Sequence, residues 1–191
     1  MMKLTLIFLM LLVLNSFSQE SGQYKNLSKN MEDYEFHSQM DLGAGIGLNY
    51  GGLLGFQVGY IPINHLVIFG SAGYYLVGFG WQVGASGYLM PKVPSKRFRV
   101  YGTVMYGTNV AIAIIDNSSY NKIYLGPTIG AGIEMRFGKS KKNGLNIDLF
   151  YPIRSSEYES DWNNLKNNPN FTDTVDPLPV TISVGYHFEI K

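Results

Sequence analysis

The feature that most limits the possible folds is a stretch without formal charge: residues 42–91 contain no Asp, Glu, Lys or Arg in fifty consecutive positions. On hydropathy alone, such a stretch would suggest two transmembrane helices. Its residue types argue against helices, because it is rich in Gly, Tyr, Val and Phe, which suit strands and turns better than helix interiors. Apolar residues also occupy alternate positions, as in Leu54, Phe56, Val58 and Tyr60. A period of two indicates β-strands with two different faces.

The same alternation continues to the end of the chain and is interrupted by turn-forming residues. All connections except the last are too short for a crossover helix, so neighbouring strands should be antiparallel hairpins. We therefore predict an all-β fold, an eight-stranded antiparallel up-and-down β-barrel that spans a membrane and follows a short N-terminal lead-in. The predicted strands are 42–50, 54–60, 66–76, 81–89, 98–110, 123–137, 145–151 and 180–190.

Alternation alone does not say which face of a barrel points inward. A soluble lipocalin-like barrel has apolar residues inside and charged residues outside, whereas a membrane barrel has its apolar residues toward lipid. Only 15% of the residues are charged, and the polar face is mostly Gly, Ser, Thr, Asn and Gln, which fit a narrow barrel interior. Aromatic residues of the apolar face tend to fall near strand ends, where a lipid interface favours them. They are Tyr50, Tyr60, Trp81, Phe98, Phe137, Tyr151 and Phe188.

The N-terminus has the features of a secretory signal peptide. Lys3 precedes an apolar run over 4–14, and Ser16 and Ser18 stand at the −3 and −1 positions of a small-residue cleavage site before Gln19. The run is too short to span a bilayer as a helix. We predict a signal peptide at 1–18, a flexible periplasmic lead-in at 19–40 and the barrel at 41–191.

Together these features resemble the small eight-stranded outer-membrane barrels of Gram-negative bacteria, of the OmpA and OmpX type. In the last strand, Gly185, Phe188 and Ile190 resemble the assembly signal that the outer-membrane insertion machinery reads. The resemblance implies a cell outer membrane location, with outer-membrane lipid, lipopolysaccharide and the assembly machinery as partners. It also implies periplasmic termini, which makes 62–65, 91–97 and 138–144 periplasmic turns. The outer loops are then 51–53, 77–80, 111–120 and the long acidic segment 154–179.

Charges on the predicted lumen face concentrate in the later strands, toward the periplasmic end. Buried charges must be paired, so we predict an ion-pair network that plugs the barrel, with Glu134 and Asp148 able to face each other. A gated ion path is the functional alternative, although eight strands leave an interior filled by side chains. The predicted network is Arg99, Glu134, Arg136, Asp148, His187 and Glu189.

The long outer loop offers a candidate binding surface, because Tyr158, Trp162 and Phe171 stand among carboxylates and asparagines. Exposed aromatics with polar neighbours are typical of binding sites. We predict a structural or surface-interaction role through this loop. Two alternatives are a soluble periplasmic barrel that binds a small hydrophobic ligand, and an outer-membrane enzyme that modifies lipids.

Catalytic and cofactor signals are weak. Ser183 and His187 share a strand face but lie roughly 13 Å apart at about 3.3 Å per residue, too far to pair. The chain has no Cys, which removes thiolate metal ligands and thiol nucleophiles. The net charge of +1 gives no indication of nucleic acid binding. We predict no catalytic residue, metal site or cofactor, and the sequence does not define an oligomeric state.

Overall fold

The computed structural model describes residues 38–75, 77–92, 96–114, 121–168 and 176–190. The predicted signal peptide, most of the predicted lead-in, and Phe171 lie outside the described residues. Eight strands, one short 3-10 turn (Leu48–Tyr50) and one helix, α1 (Ser156–Lys166), make up the described fold. The strands are β1 Gln39–Gly47, β2 Gly52–Ile63, β3 Leu66–Tyr75, β4 Gly78–Tyr88, β5 Phe98–Ile112, β6 Lys122–Phe137, β7 Asn143–Pro152 and β8 Thr181–Ile190.

The strands form a closed, antiparallel, up-and-down barrel, which confirms the predicted all-β architecture of eight strands. Each strand pairs with the next along the chain, and β1 also pairs with β8 to close the sheet. Leu42 of β1, for example, lies opposite Val58 of β2 on one side and Phe188 of β8 on the other. No helix in the described part of the chain is long and apolar enough to cross a membrane.

Most lumen-facing side chains are polar, and the outward-facing side chains are mainly apolar. The lumen also holds a small apolar cluster of Leu48, Phe69, Met105 and Phe150. Along β5, Arg99, Tyr101 and Thr103 are buried, whereas Phe98 and Val104 on the opposite face are 59% and 60% exposed. The alternation follows from the pleat of the strands, which sends successive side chains to opposite faces of the sheet. The lumen is lined by small polar residues in its middle section, including Gln57, Ser71, Gln82, Ser86, Thr103 and Thr128.

The connection between β1 and β2 departs from the prediction. Leu48 and Tyr50 were expected on the outward apolar face, but the 3-10 turn folds into the lumen, and Tyr50 is 0% exposed. Gly47 and Gly51, with φ of 109° and 78°, have the left-handed backbone that such an inward reversal needs. The side chain of Gln57 donates to Asn49 Oδ1 at 3.0 Å and holds the turn against β2. The residues predicted as an outer loop at 51–53 instead end an inward plug and begin β2.

The long outer segment 154–179 contains α1, which the sequence analysis did not predict. Ser155 caps the helix, with its Oγ accepting from the backbone N–H of Tyr158 at 3.3 Å. Glu157 and Glu159 lie in the first turn and Lys166 in the last, where the helix dipole favours these charges. We call α1, together with the strand ends that it covers, the outer cap.

The outer cap has a small hydrophobic core of its own. Tyr158 and Leu165 of α1 pack against the ends of β5 and β6, the longest strands, at Val110, Ile112 and Tyr124. Val110 was expected to face outward, and that expectation was wrong. An irregularity in the β5–β6 register between Thr108 and Val110 shifts the phase of the strand at this point, so that the side chain turns under α1.

Candidate functional site

Two regions of the barrel carry the candidate functional residues. The first is a group of buried charged side chains near the end of the lumen opposite α1, which we call the lumen charge cluster. Its members are Asp41, Lys92, Arg99, Glu134, Arg136, His187 and Glu189, all of them buried.

The lumen charge cluster contains three cations and three carboxylates that form several shared ion pairs. The cations are Lys92, Arg99 and Arg136, and the carboxylates are Asp41, Glu134 and Glu189. Arg99 Nη1 lies 3.3 Å from Glu134 and 3.1 Å from Glu189. Arg136 Nη2 lies 2.8 Å from Glu189, and its Nε also pairs with Glu134. Arg136 further donates to the carbonyl of Lys142, at 2.7 Å, which fixes the turn below it. Such dense pairing is what allows guanidinium and carboxylate groups to remain ionised away from water.

The sequence analysis missed Lys92 and Asp41 as members of the cluster. Lys92 was expected in a solvated periplasmic turn, but it is 2% exposed. Its Nζ reaches into the lumen, 3.4 Å from Glu134 and 3.3 Å from Glu189. Nothing in its local pattern signals this, because the contacts join Lys92 to strands that are distant in the chain. Asp41, in contrast, lies two residues before Gly43 and therefore on the same, polar face of the first strand. The alternation could have identified it as facing the lumen.

Asp148 was predicted to face Glu134, and the strand register shows otherwise. Residue 134 pairs with Asn146, whereas Asp148 pairs with Gly132. The Asp148 carboxylate accepts a short hydrogen bond from the Tyr101 hydroxyl, which in turn accepts from Asn146 Nδ2 at 3.0 Å. Among the described residues, no Lys, Arg or His forms an ion pair with Asp148. The network therefore includes five of the six predicted residues, and Asp148 is hydrogen-bonded to Tyr101 without an ion pair among the described residues.

His187 links the cluster to the inward turn. Its Nδ1 lies 3.0 Å from Asp41 Oδ2 and its Nε2 lies 2.6 Å from the hydroxyl of Tyr50. This Asp41–His187–Tyr50 chain was not visible in the sequence, because its members come from three separate segments. Ser183 does not join it and instead accepts from the backbone N–H of Asn49 at 3.4 Å. All three members of the chain are buried, so the arrangement closes the lumen and offers no atom to an external substrate.

The residues predicted as an assembly signal lie on β8. Phe188 and Ile190 point outward and are each 40% exposed, whereas Gly185 is buried in the lumen. A Cβ added at Gly185 would overlap the Tyr50 hydroxyl. The glycine thus has a packing role of its own, and its role as a recognition signal stays a prediction.

The second region is the outer cap, which contains two of the three predicted binding aromatics. Tyr158 was expected to be exposed, but it is 3% exposed, because it packs between Tyr124 and Trp162. Trp162 is half-buried, and its Nε1 donates to Asp176 at 2.8 Å. Only Trp162 of these two aromatics therefore presents part of its ring to solvent.

Ionic contacts fix α1 to the barrel end. Lys122 Nζ of β6 lies 2.8 Å from Glu157 and 2.9 Å from Asp161, and the Tyr124 hydroxyl donates to Asp161 at 2.7 Å. A hydrogen bond from Lys122, and to a smaller extent one from Tyr124, holds the pKa of Asp161 below its ordinary value. Hydrogen bonds from Lys166 and, to a smaller extent, Trp162 lower the pKa of Asp176 in the same way. The outer cap is thus an ordered surface above the barrel.

No family model matches the chain, and no curated protein is significantly similar to it.

Proposed function

We propose that this protein is a small outer-membrane β-barrel that anchors a structured cap at the bacterial surface. The observation that carries the proposal is the inverted polarity of the barrel, with ion pairs inside and apolar side chains outside. Ile129, Ile133 and Leu149 are each about half exposed on the outer wall, at 48%, 53% and 52%. Apolar patches of such extent are rare on soluble monomers and mark contact with lipid or with another protein.

The dimensions of the apolar wall support lipid as its partner. On β5, the outward aromatics Phe98 and Tyr106 are eight residues apart, about 27 Å along the strand at about 3.4 Å per residue. A strand tilt of about 40° reduces this to roughly 21 Å along the barrel axis. That span is close to the apolar band of about 25 Å in outer-membrane barrels, which is flanked by aromatic girdles.

The closed lumen favours an anchoring role over transport. Tyr50 fills the lumen from one side and the lumen charge cluster fills it from the other, with Arg99 and Arg136 each 1% exposed. Eight strands leave room only for such side chains and not for an aqueous channel. Specific interactions would therefore fall to the outer cap, which is the part of the described protein that projects beyond the barrel wall.

The two alternative functions have less support. A lipocalin-like carrier needs an apolar cavity, whereas buried polar and charged groups occupy much of this lumen and its apolar side chains pack against one another. A lipid-modifying enzyme needs a nucleophile and a base that a substrate can reach, whereas the Asp41–His187–Tyr50 chain is buried.

Gel mobility of the chain refolded in detergent tests the proposal. We expect the unboiled sample to migrate faster than the boiled one, because a closed barrel resists the gel detergent. Ile133→Asp should impair insertion into lipid vesicles, since it puts a charge on the lipid face, and Ile133→Leu is the matched control. A chain that stays soluble without detergent and shows no mobility shift would refute the proposal.

A further inference from the structure

The outer cap holds a cavity of about 290 Å³ between α1 and the segment that leads into β8. Trp162 and Asp176 form one wall, Arg154 and Pro177 another, and Glu159 and Asn163 of α1 stand at the rim. Its volume is at the lower end of the range for ligand pockets, about 300–1,000 Å³. It is of a size for one small ligand rather than a peptide.

The walls of this cavity are fixed in place. Trp162 stacks on Tyr158 with ring centroids 6.2 Å apart and planes at 12°. Asp176 accepts from Trp162 Nε1 at 2.8 Å and pairs with Lys166 at 2.6 Å. Arg154 Nη2 donates to the carbonyls of Pro177, at 3.1 Å, and Leu178. A site whose walls are already ordered loses less entropy when a ligand binds.

Three groups at the cavity have hydrogen-bonding capacity that the described residues do not use. Arg154 Nε is buried and has no hydrogen-bond partner. The side chains of Glu159 and Asn163 are exposed and one helical turn apart, so they lie on the same face of α1. They form no hydrogen bond with another described side chain. Together they provide a donor, an acceptor and an amide that does both.

The charges around the cavity argue for an uncharged ligand. The cations Arg154 and Lys166 are offset by the carboxylates Glu159 and Asp176, so the formal charges sum to zero. An anion would approach two carboxylates, and a cation would approach two basic groups. A neutral molecule with several hydroxyls matches the mixed donors and acceptors. Its apolar face can pack on the part of the Trp162 indole that stays exposed beside Tyr158 and Lys166.

We infer that this cavity binds a single sugar ring of a surface glycan. The inference deepens the proposed function and rests on it for the placement of the cavity outside the cell. The ring would lie against Trp162 and Pro177, with hydroxyls toward Glu159, Asn163 and Arg154. The sugar could belong to lipopolysaccharide of the same membrane or to a glycan from another source.

Fluorescence of Trp162 tests the inference directly. The chain contains two tryptophans, so Trp81→Phe leaves Trp162 as the single reporter. The refolded variant in detergent is titrated with the methyl glycosides of glucose, galactose, mannose and N-acetylglucosamine. Delipidated core oligosaccharide from lipopolysaccharide is titrated in parallel. We expect a saturable change with at least one probe; a response to the core alone identifies the membrane's own lipopolysaccharide as the source, and a response to a glycoside absent from it identifies another glycan.

Variants of the rim make the result specific. Asn163→Ala and Glu159→Gln should each weaken binding about tenfold, as expected when a ligand loses one good hydrogen bond. Asn164→Ala is the control, because Asn164 lines a different cavity on the other side of α1. No saturable change with any probe, or equal binding by the Asn163→Ala and Asn164→Ala variants, would overturn the inference.

The gel mobility of the same samples separates this inference from the proposed function. A folded, detergent-resistant barrel that binds no sugar refutes the inference alone. A chain that binds sugar but is soluble without detergent refutes the membrane proposal and leaves the sugar site standing.

Discussion

The hydroxyl of Tyr50 lies 2.6 Å from Nε2 of His187, and this contact joins the inward turn after β1 to the last strand of the barrel. The two residues are 137 positions apart in the chain. Because His187 also contacts Asp41, the pair connects the plug on one side of the lumen with the charge cluster on the other.

Loss of the Tyr50 hydroxyl should destabilise the barrel. Tyr50→Phe keeps the ring but leaves a buried His187 nitrogen without a partner, which costs about 1–3 kcal/mol. The measurement is the urea midpoint at which the fast-migrating band disappears. Tyr60→Phe is the control, since Tyr60 lies on the outer wall and is 49% exposed. Equal midpoints for the two variants would show that the contact contributes little.

Two buried carboxylates should respond differently to neutralisation. Glu134→Gln removes one of the carboxylates that pair with Lys92, Arg99 and Arg136, and breaking a buried ion pair in this way costs about 3–5 kcal/mol. Asp148→Asn removes a buried charge that has no ion-pair partner among the described residues, so stability should hold or rise. Urea titrations of both variants provide the measurement. If Asp148→Asn lowers the stability to urea more than Glu134→Gln does, the Asp148 carboxylate is stabilised more strongly by its surroundings than Glu134 is.

Gly185→Ala should block folding even without cellular machinery, because the added Cβ would overlap the Tyr50 ring. Gly87→Ala is the matched control, since nothing lies within 4 Å of a Cβ at that position. Both variants are refolded into lipid vesicles and assayed by gel mobility. If Gly185→Ala folds normally in vesicles but fails to assemble in cells, the glycine acts through recognition and not through packing.

Docking of α1 should weaken in acid. Hydrogen bonds from Lys122 and Tyr124 hold the pKa of Asp161 below its ordinary value. The stabilisation is therefore complete above the unfolded pKa of about 3.9 and is lost as the pH falls through the lower folded pKa. Amide protection factors of α1, measured from about pH 6 to about pH 3, should fall in the native chain.

Asp161→Asn tests whether this carboxylate is responsible. The variant should have lower protection in α1 at the upper pH and a flatter dependence below it. Glu159→Gln should behave as the native chain, because Glu159 forms no ion pair among the described contacts. The same acid-induced loss in Asp161→Asn would assign the effect to another group.

The sequence was most informative along the barrel wall, where one face of each strand points into the lumen and the other points outward. In β6, Thr128 is buried in the lumen and Ile129 is exposed on the outer wall, as the alternation predicts. The two faces of a strand have different surroundings along the whole wall, and the sequence reflects that difference. The prediction failed where that contrast ends. Val110 lies beyond the wall, under α1, and Tyr50 lies after Gly47, whose left-handed backbone resets the phase.

The candidate sites were harder to predict than the strands. The alternation of polar and apolar residues assigns Asp148 to the lumen. It does not predict the strand register, which decides which residue lies opposite Asp148. Lys92 lies after β4, and its contacts with Glu134 and Glu189 join segments that are distant in the chain. Helix α1 has only two buried residues, Tyr158 and Leu165, too few for a recognisable helical period, so its docking depends on the strand ends below it.

The last strand of the barrel in chain order, β8, pairs with the first, β1. Since β8 supplies seven residue partners to β1, a nascent chain has two open sheet edges until β8 is present. Until β8 is made, Asp41 and Tyr50 lack their contacts with His187, and Arg99 lacks its ion pair with Glu189. Closure of the barrel is then an all-or-none event that follows the synthesis of β8. An unfinished barrel would present its unpaired edges and its uncompensated charges to any chaperone or protease that binds it.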